Sequence, residues 1–156
     1  MDSITSYRYF VTNLPEDLTK LIHSYCDPET DYYRDKIIEI LKNINVGRNG
    51  FKLTNYKNEF DNPKSIKNII GCINQIPSII RPLKTTYSVE SYSGKHVIEK
   101  YRENVLKLKG SCHISNGEFI IAMLLLGFEF KYVKGFNCCF RAGYLKGGGW
   151  RVDSCF

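Results

Sequence analysis

The chain lacks any apolar run long enough to cross a membrane. The longest such run, residues 119–128, is shorter than the roughly 18 residues that a bilayer span requires, and Gly127 interrupts it. The first ten residues are polar and aromatic and lack the apolar region of a secretory signal. These two absences predict a protein with no membrane partner and an intracellular location.

Recognisable catalytic motifs are also missing. The sequence contains no nucleophile elbow, no Walker motif, no kinase signature set and no H-E-x-x-H. The triple glycine at 147–149 is not followed by the Lys-Ser/Thr pair of a phosphate loop, so we interpret it as a hinge or bulge. We therefore expect no enzymatic activity, no catalytic residue and no cofactor.

The six cysteines show neither a C-x-x-C pair nor a regular spacing, which favours reduced and mostly buried thiols. Cys138 and Cys139 are adjacent, and adjacent residues of a strand point to opposite faces. A metal site that combined this pair with Cys112 and His113 would need unusual geometry. We predict no metal site.

His96 and Glu99 are the remaining pair with chemical potential. They lie three residues apart on a predicted helix and could share one face, as an acid-base pair or two metal ligands would. Because no further histidine or carboxylate follows at a matched spacing, a structural or surface hydrogen bond is the favoured interpretation.

Charge is unevenly distributed along the chain. The net charge is +6, but residues 1–39 hold four basic and eight acidic side chains, and residues 40–156 hold eighteen basic and eight acidic ones. The second part therefore carries +10, which would attract a polyanion such as DNA or RNA. Solubilising surface lysine is the alternative explanation.

Helical periodicity dominates the N-terminal part, residues 1–80. Capping and dipole signals around Pro15 predict a short helix over 14–25, and Ile37, Ile38 and Leu41 predict a second helix over 31–42, with Cys26-Asp27-Pro28 ending the first. Asn62-Pro63 opens a third helix that Pro77 ends. Residues 45–62 otherwise indicate a loop with one short edge strand, and residues 79–89 an extended connection.

The C-terminal part, residues 87–156, has the clearest signals. A basic amphipathic helix is predicted over 91–108, and Ser115 with Glu118 has the spacing of a capping box. The helix that follows is apolar on most sides over 119–126, which predicts a central core helix ended by Gly127. Strands over 128–133 and 137–141 would form a hairpin around Lys134-Gly135, and residues 144–152 a third strand. The whole chain thus predicts one α+β domain, with a mostly helical N-terminal part, a C-terminal helix pair and a small antiparallel sheet.

Residues 91–99 and 114–128 carry a resemblance to a known group of proteins. They read S-Y-x-x-K-H-x-x-E and S-N-G-x-F-I-x-A-x-x-x-x-G-F, and this pattern resembles uncharacterised small proteins of large DNA viruses and bacteriophages. The resemblance covers about residues 87–141, with Cys112-His113-Ile114 standing where an aromatic residue is usual. It implies a viral origin, and with it a place in the host cytoplasm or nucleus or in a virion, but no mechanism.

Two functional hypotheses follow. The first is a non-enzymatic viral accessory or virion-packaged protein that associates with nucleic acid through phosphate contacts, because the apolar 119–126 helix has almost no side chain to read bases. The predicted contacts are Lys95, Lys100, Arg102, Lys131 and Lys134. The second is a protein-interaction or self-associating module that uses residues 14–25, whose opening is loosely similar to the start of an F-box.

Overall fold

A computed structural model describes residues 28–52, 58–108 and 112–145. Within these ranges the chain forms short antiparallel sheets and α-helices, which confirms the predicted α+β class. None of the helices in the described ranges is long and apolar enough to cross a membrane. The predicted 14–25 helix lies outside the described residues.

The elements, in chain order, are α1 (Pro28–Leu41), β1 (Val46–Gly47), β2 (Gly50–Phe51), α2 (Pro63–Gln75), a 3₁₀ turn (Ile76–Ser78), β3 (Ile80–Pro82), β4 (Val89–Glu90), α3 (Ser91–Asn104), α4 (Asn116–Leu125), β5 (Phe130–Lys134), β6 (Asn137–Phe140) and β7 (Ala142–Tyr144).

The two N-terminal helices both begin at a proline. Helix α1 begins at Pro28, three residues before the start predicted at residue 31, since the fixed φ of proline suits a first turn in which Glu29 and Asp31 face the positive end of the helix dipole. Helix α2 begins as predicted: the Asn62 side chain accepts a hydrogen bond of 2.9 Å from the Ser65 amide, and Pro63 follows the cap.

The two C-terminal helices begin at side-chain caps. Glu90 caps α3 by accepting from the amides of Tyr92 and Ser93, and α3 ends at Asn104, four residues before the predicted end. The predicted capping box of α4 is confirmed, because the Ser115 hydroxyl accepts from the Glu118 amide while the Glu118 carboxylate accepts from the Ser115 amide. Gly127 follows α4 with a φ of 85°, as the predicted left-handed stop requires.

In the described ranges two strand pairs are local hairpins and two join segments that are far apart in sequence. Strands β5 and β6 form the predicted hairpin, and β4 pairs with the other edge of β6, giving the order β4-β6-β5. The strand predicted over 144–152 shares only Tyr144 with the observed β7, which pairs with β3. Residues 146–152 lie outside the described part of the chain. Strands β1 and β2 form a separate small hairpin where one edge strand was expected.

Helix α4 is the centre of the core. Every residue from Asn116 to Met123 is buried, and α4 packs against α1, α2, α3 and the β1–β2 hairpin. Leu124, Leu125 and Leu126 are only half-buried, so the fully enclosed part of the helix is its first two turns and not its apolar end. The predicted core helix is therefore correct, but its buried centre lies closer to the cap.

Truncation of Ile120 and of Leu125 should distinguish the two ends of this helix. Ile120→Ala should lower the free energy of unfolding by about 2 to 5 kcal/mol, because Ile120 is fully buried and the surrounding core cannot fill the cavity. Leu125→Ala should cost clearly less, since its side chain is half-exposed. Urea unfolding followed by circular dichroism measures both, and equal costs would contradict this description of the core.

Candidate functional site

The first turn of α4 docks onto two hairpins through its polar residues. The Asn116 side-chain amide donates to the Asn49 carbonyl in the β1–β2 turn at 3.0 Å and to Asn137 Oδ1 at the start of β6 at 2.9 Å. The Gly117 amide donates to the Arg48 carbonyl at 2.9 Å. A Cβ on Gly117 would lie 1.9 Å from the Gly47 carbonyl oxygen, so the backbones can approach this closely only with glycine at that position.

Glu99 organises the neighbouring face of α3. Its Oε1 accepts from the Ile114 amide at 3.0 Å and from Lys95 Nζ at 3.2 Å, and it lies 3.1 Å from His113 Nδ1. Its Oε2 lies 2.8 Å from His96 Nδ1. The carboxylate therefore ties α3 to the segment that leads into the cap of α4.

The pKa of Glu99 reflects these contacts. Burial on its own would raise it, but the hydrogen bond from the Ile114 amide, the charge of Lys95 and the hydrogen bond from His96 outweigh burial and lower the pKa below its ordinary value of 4.5. Glu99 is therefore a charged group at neutral pH, held between a lysine and two imidazoles.

A polar cleft of about 450 Å³ opens where these elements meet. The N-terminal end of α4 contributes Ser115 and Asn116 to the wall of the cleft. Oδ1 of Asn116 is a buried acceptor with no hydrogen-bond partner among the residues that the structure describes. The remaining lining residues come from α3, from the β1–β2 turn and from the loops beside them: Arg48, Asn49, Glu59, Tyr92, Lys95 and His113.

Glu59 also lines the cleft. Its two oxygens accept from Lys52 Nζ at 2.6 Å and from the Arg48 amide at 2.5 Å. The hydrogen bond from Lys52 is the main reason that the pKa of Glu59 is lowered, with smaller contributions from Arg48. Both carboxylates at the cleft are thus ionised and already bound to protein donors.

Two of the five residues predicted to contact phosphate lie in the interior and are bound to groups of the protein itself. Lys95 is 5% exposed and bound to Glu99 and the Ile114 carbonyl. Arg102 is 5% exposed and donates to Gln75 Oε1 at 2.7 Å and to the Asn68 carbonyl. Lys95 thus faces the segment that leads into α4, and Arg102 faces residues of α2, which helical periodicity alone does not indicate. Lys100 is half-buried, whereas Lys131 and Lys134 are exposed.

The exposed lysines lie on the β5–β6 hairpin beside exposed apolar residues. Tyr132 is 52% exposed and Phe136 57% exposed, although the Tyr132 ring also contacts Phe51 at 5.0 Å between centroids. Lys131 Nζ lies 4.8 Å from the centre of the Tyr87 ring. We call Lys131, Tyr132, Lys134 and Phe136 the hairpin surface.

The cysteines and histidines do not gather into a metal centre in ranges 28–52, 58–108 and 112–145, where no group of three or more suitable ligands occurs. Cys138 is buried, which raises its pKa to about 12, so it is an unreactive thiol at neutral pH. His113 lies by Glu99 at the cleft instead of with Cys138 and Cys139. Cys26 and Cys155 lie outside the described residues.

Comparison with known proteins gives no assignment. No family model matches the chain, and no curated protein or solved structure matches it.

Only some of the residues around the cleft could be predicted from the sequence. The stretch Ser115-Asn116-Gly117-Glu118 indicated a helix cap, but the same four residues also hold the docking amide and the obligatory glycine. His96 and Glu99 were expected to share a helix face, and their distance of 2.8 Å agrees with that expectation. Arg48 and Asn49 were missed because their nearness to α4 depends on tertiary folding; glycines on both sides of this turn were the available clue.

Glu99→Gln should remove an acid-sensitive contribution to stability. A carboxylate whose pKa is lowered by folding stabilises the protein above its unfolded pKa and loses that contribution as the pH falls through the folded value. Wild type should therefore exceed the variant in free energy of unfolding at about pH 7, and this gap should narrow towards about pH 3. Urea unfolding at several pH values measures it.

Glu103→Gln is the matched control, because Glu103 is an exposed carboxylate on the same helix. It should change stability little at any pH. A gap between wild type and Glu99→Gln that stays constant from neutral to acid pH would contradict the described role of Glu99.

Proposed function

We propose that the protein is a non-enzymatic accessory protein that associates with nucleic acid through the hairpin surface. The observation that carries the proposal is the combination of exposed lysines and exposed aromatic rings on one short hairpin. Lysine on an edge strand is a common protection against aggregation, but exposed rings at Tyr132 and Phe136 serve no such purpose.

The chemistry of the hairpin surface suits a single strand better than a duplex. Lysine ammonium groups neutralise phosphates without reading sequence, while aromatic rings stack on unpaired bases. Strand β5 is also only five residues long and lies at the edge of its sheet, so a flexible strand can follow it more readily than a rigid double helix.

The viral origin implied by the resemblance of residues 91–99 and 114–128 belongs to the same proposal. A protein encoded by a large DNA virus would meet nucleic acid in the host cytoplasm or nucleus, or inside a virion. The +10 charge of residues 40–156 supports association with a polyanion in any of these places.

A protein-interaction or self-association role is the second candidate. The segment from which this role was predicted, residues 14–25, lies outside the described residues. One observation from the described part of the chain favours the role. After α3 ends, Val105, Leu106 and Leu108 are all exposed, and such a cluster of apolar side chains is a common feature of protein contacts.

The hairpin surface can be tested by replacing its two lysines. Lys131→Ala/Lys134→Ala should weaken binding to a fluorescent single-stranded oligonucleotide and make the dependence of log Kd on log salt shallower by about 1 to 2, because about 0.7 counterions are released for each phosphate neutralised on a single strand. Fluorescence anisotropy over a series of salt concentrations measures both effects.

Lys64→Ala/Lys67→Ala removes the same charge from the exposed face of α2 and is the matched control. It should leave the affinity and salt dependence close to those of wild type. Equal losses in the two double variants would mean that only net charge matters, and absence of binding by wild type at low salt would refute the proposal.

A further inference from the structure

The charges around the polar cleft do not cancel. Each oxygen of Glu59 already accepts a hydrogen bond, from Lys52 or from the Arg48 backbone, and Glu99 is bound to Lys95, the Ile114 amide and two imidazoles. The Arg48 guanidinium lines the same cleft, and it has no carboxylate within ion-pair distance in the described part of the chain. The cleft therefore retains an arginine that can receive an anion.

Hydrogen-bond donors line the same cleft as this arginine. They are the side-chain amide of Asn49, the hydroxyl of Ser115 and the imidazole of His113, whose side chain is 65% exposed. An arginine beside hydroxyl and imidazole groups is the usual arrangement for binding a phosphate, because guanidinium donors fit two phosphate oxygens at once.

The lining of the cleft also includes an aromatic ring. Tyr92 is 51% exposed, and its ring is held by the His96 edge at 4.6 Å between centroids and by Lys95 Nζ at 5.3 Å from its centre. A ring that is about half exposed can stack on a flat heterocycle. Asn116 lies deeper, with an acceptor that lacks a partner among the described residues.

We propose that this cleft binds a nucleoside monophosphate, with the phosphate at Arg48 and the base on Tyr92. The volume of about 450 Å³ is within the range of small-ligand sites, and the polar lining disfavours an apolar ligand. This site differs from the hairpin surface in its residues and its ligand, so the proposal goes beyond nucleic-acid association and does not depend on it.

The test is a titration of the ¹⁵N-labelled full chain followed by NMR, with adenosine 5′-monophosphate, adenosine and inorganic phosphate as separate probes. The monophosphate should saturate one site and shift the amides of Arg48, Tyr92 and Asn116. Adenosine and inorganic phosphate should each bind at least about tenfold more weakly, because each can use only one half of the cleft.

Arg48→Gln should weaken binding of the monophosphate by about tenfold or more, since a charged bidentate contact is lost. Arg81→Gln, which replaces an exposed arginine on β3, is the matched control and should bind like wild type. Tyr92→Leu should weaken binding of the monophosphate but leave that of inorganic phosphate unchanged. Circular dichroism confirms that each variant is folded.

The proposal would be overturned by no saturable shifts at the cleft, by adenosine binding as tightly as its monophosphate, or by Arg48→Gln behaving like Arg81→Gln. Inorganic phosphate binding as tightly as the monophosphate would also overturn it, because the base would then contribute nothing. Retention of monophosphate binding by Lys131→Ala/Lys134→Ala would show that this site is separate from the hairpin surface, whether or not that surface binds nucleic acid.

Discussion

The close approach of the first turn of α4 to the β1–β2 hairpin is the contact on which the other parts of the structure depend. The Gly117 amide reaches the Arg48 carbonyl at 2.9 Å, and no side chain larger than hydrogen fits at Gly117 without displacing the Gly47 carbonyl. The Asn116 amide then joins this hairpin to β6. Because α4 also packs against α1, α2 and α3, its position sets where the helices meet the sheets.

The polar groups of this junction have two consequences. They hold buried backbone together, since an amide or carbonyl left without a partner in the interior is costly. They also leave a cleft lined by charged and polar side chains, between Tyr92 on α3 and Arg48 on the β1–β2 turn. Glu99 extends the junction by fixing residues 113–114 against α3. A structural junction and a candidate ligand site therefore share the same residues.

Local features of the fold could be predicted from sequence, because their causes are local. The Ser115 capping box, the Asn62 cap and the Gly127 stop each depend on residues within four positions of one another. The hairpin at Lys134-Gly135 was predictable for the same reason.

Features set by tertiary packing could not be predicted in this way. Lys95 and Arg102 occur on a helix with basic periodicity, yet packing places them in the interior with Glu99 and Gln75 as partners. The pairing of β7 with β3 joins residues about sixty positions apart, and the sequence of residues 142–144 gives no indication of that partner. The cleft itself was not predictable, since Arg48, Tyr92 and Asn116 come from three separated segments.

The stability of Gly117→Ala tests the central contact most directly. Gly127→Ala is the reference: its Cβ would meet nothing within 4 Å, so that variant should cost only the strain of a left-handed backbone, about 1 to 2 kcal/mol. If the docking of α4 is as described, Gly117→Ala should cost more than about 3 kcal/mol or prevent folding, because the new methyl group would collide with the backbone of Gly47. A cost equal to or below that of Gly127→Ala in urea unfolding would contradict the account.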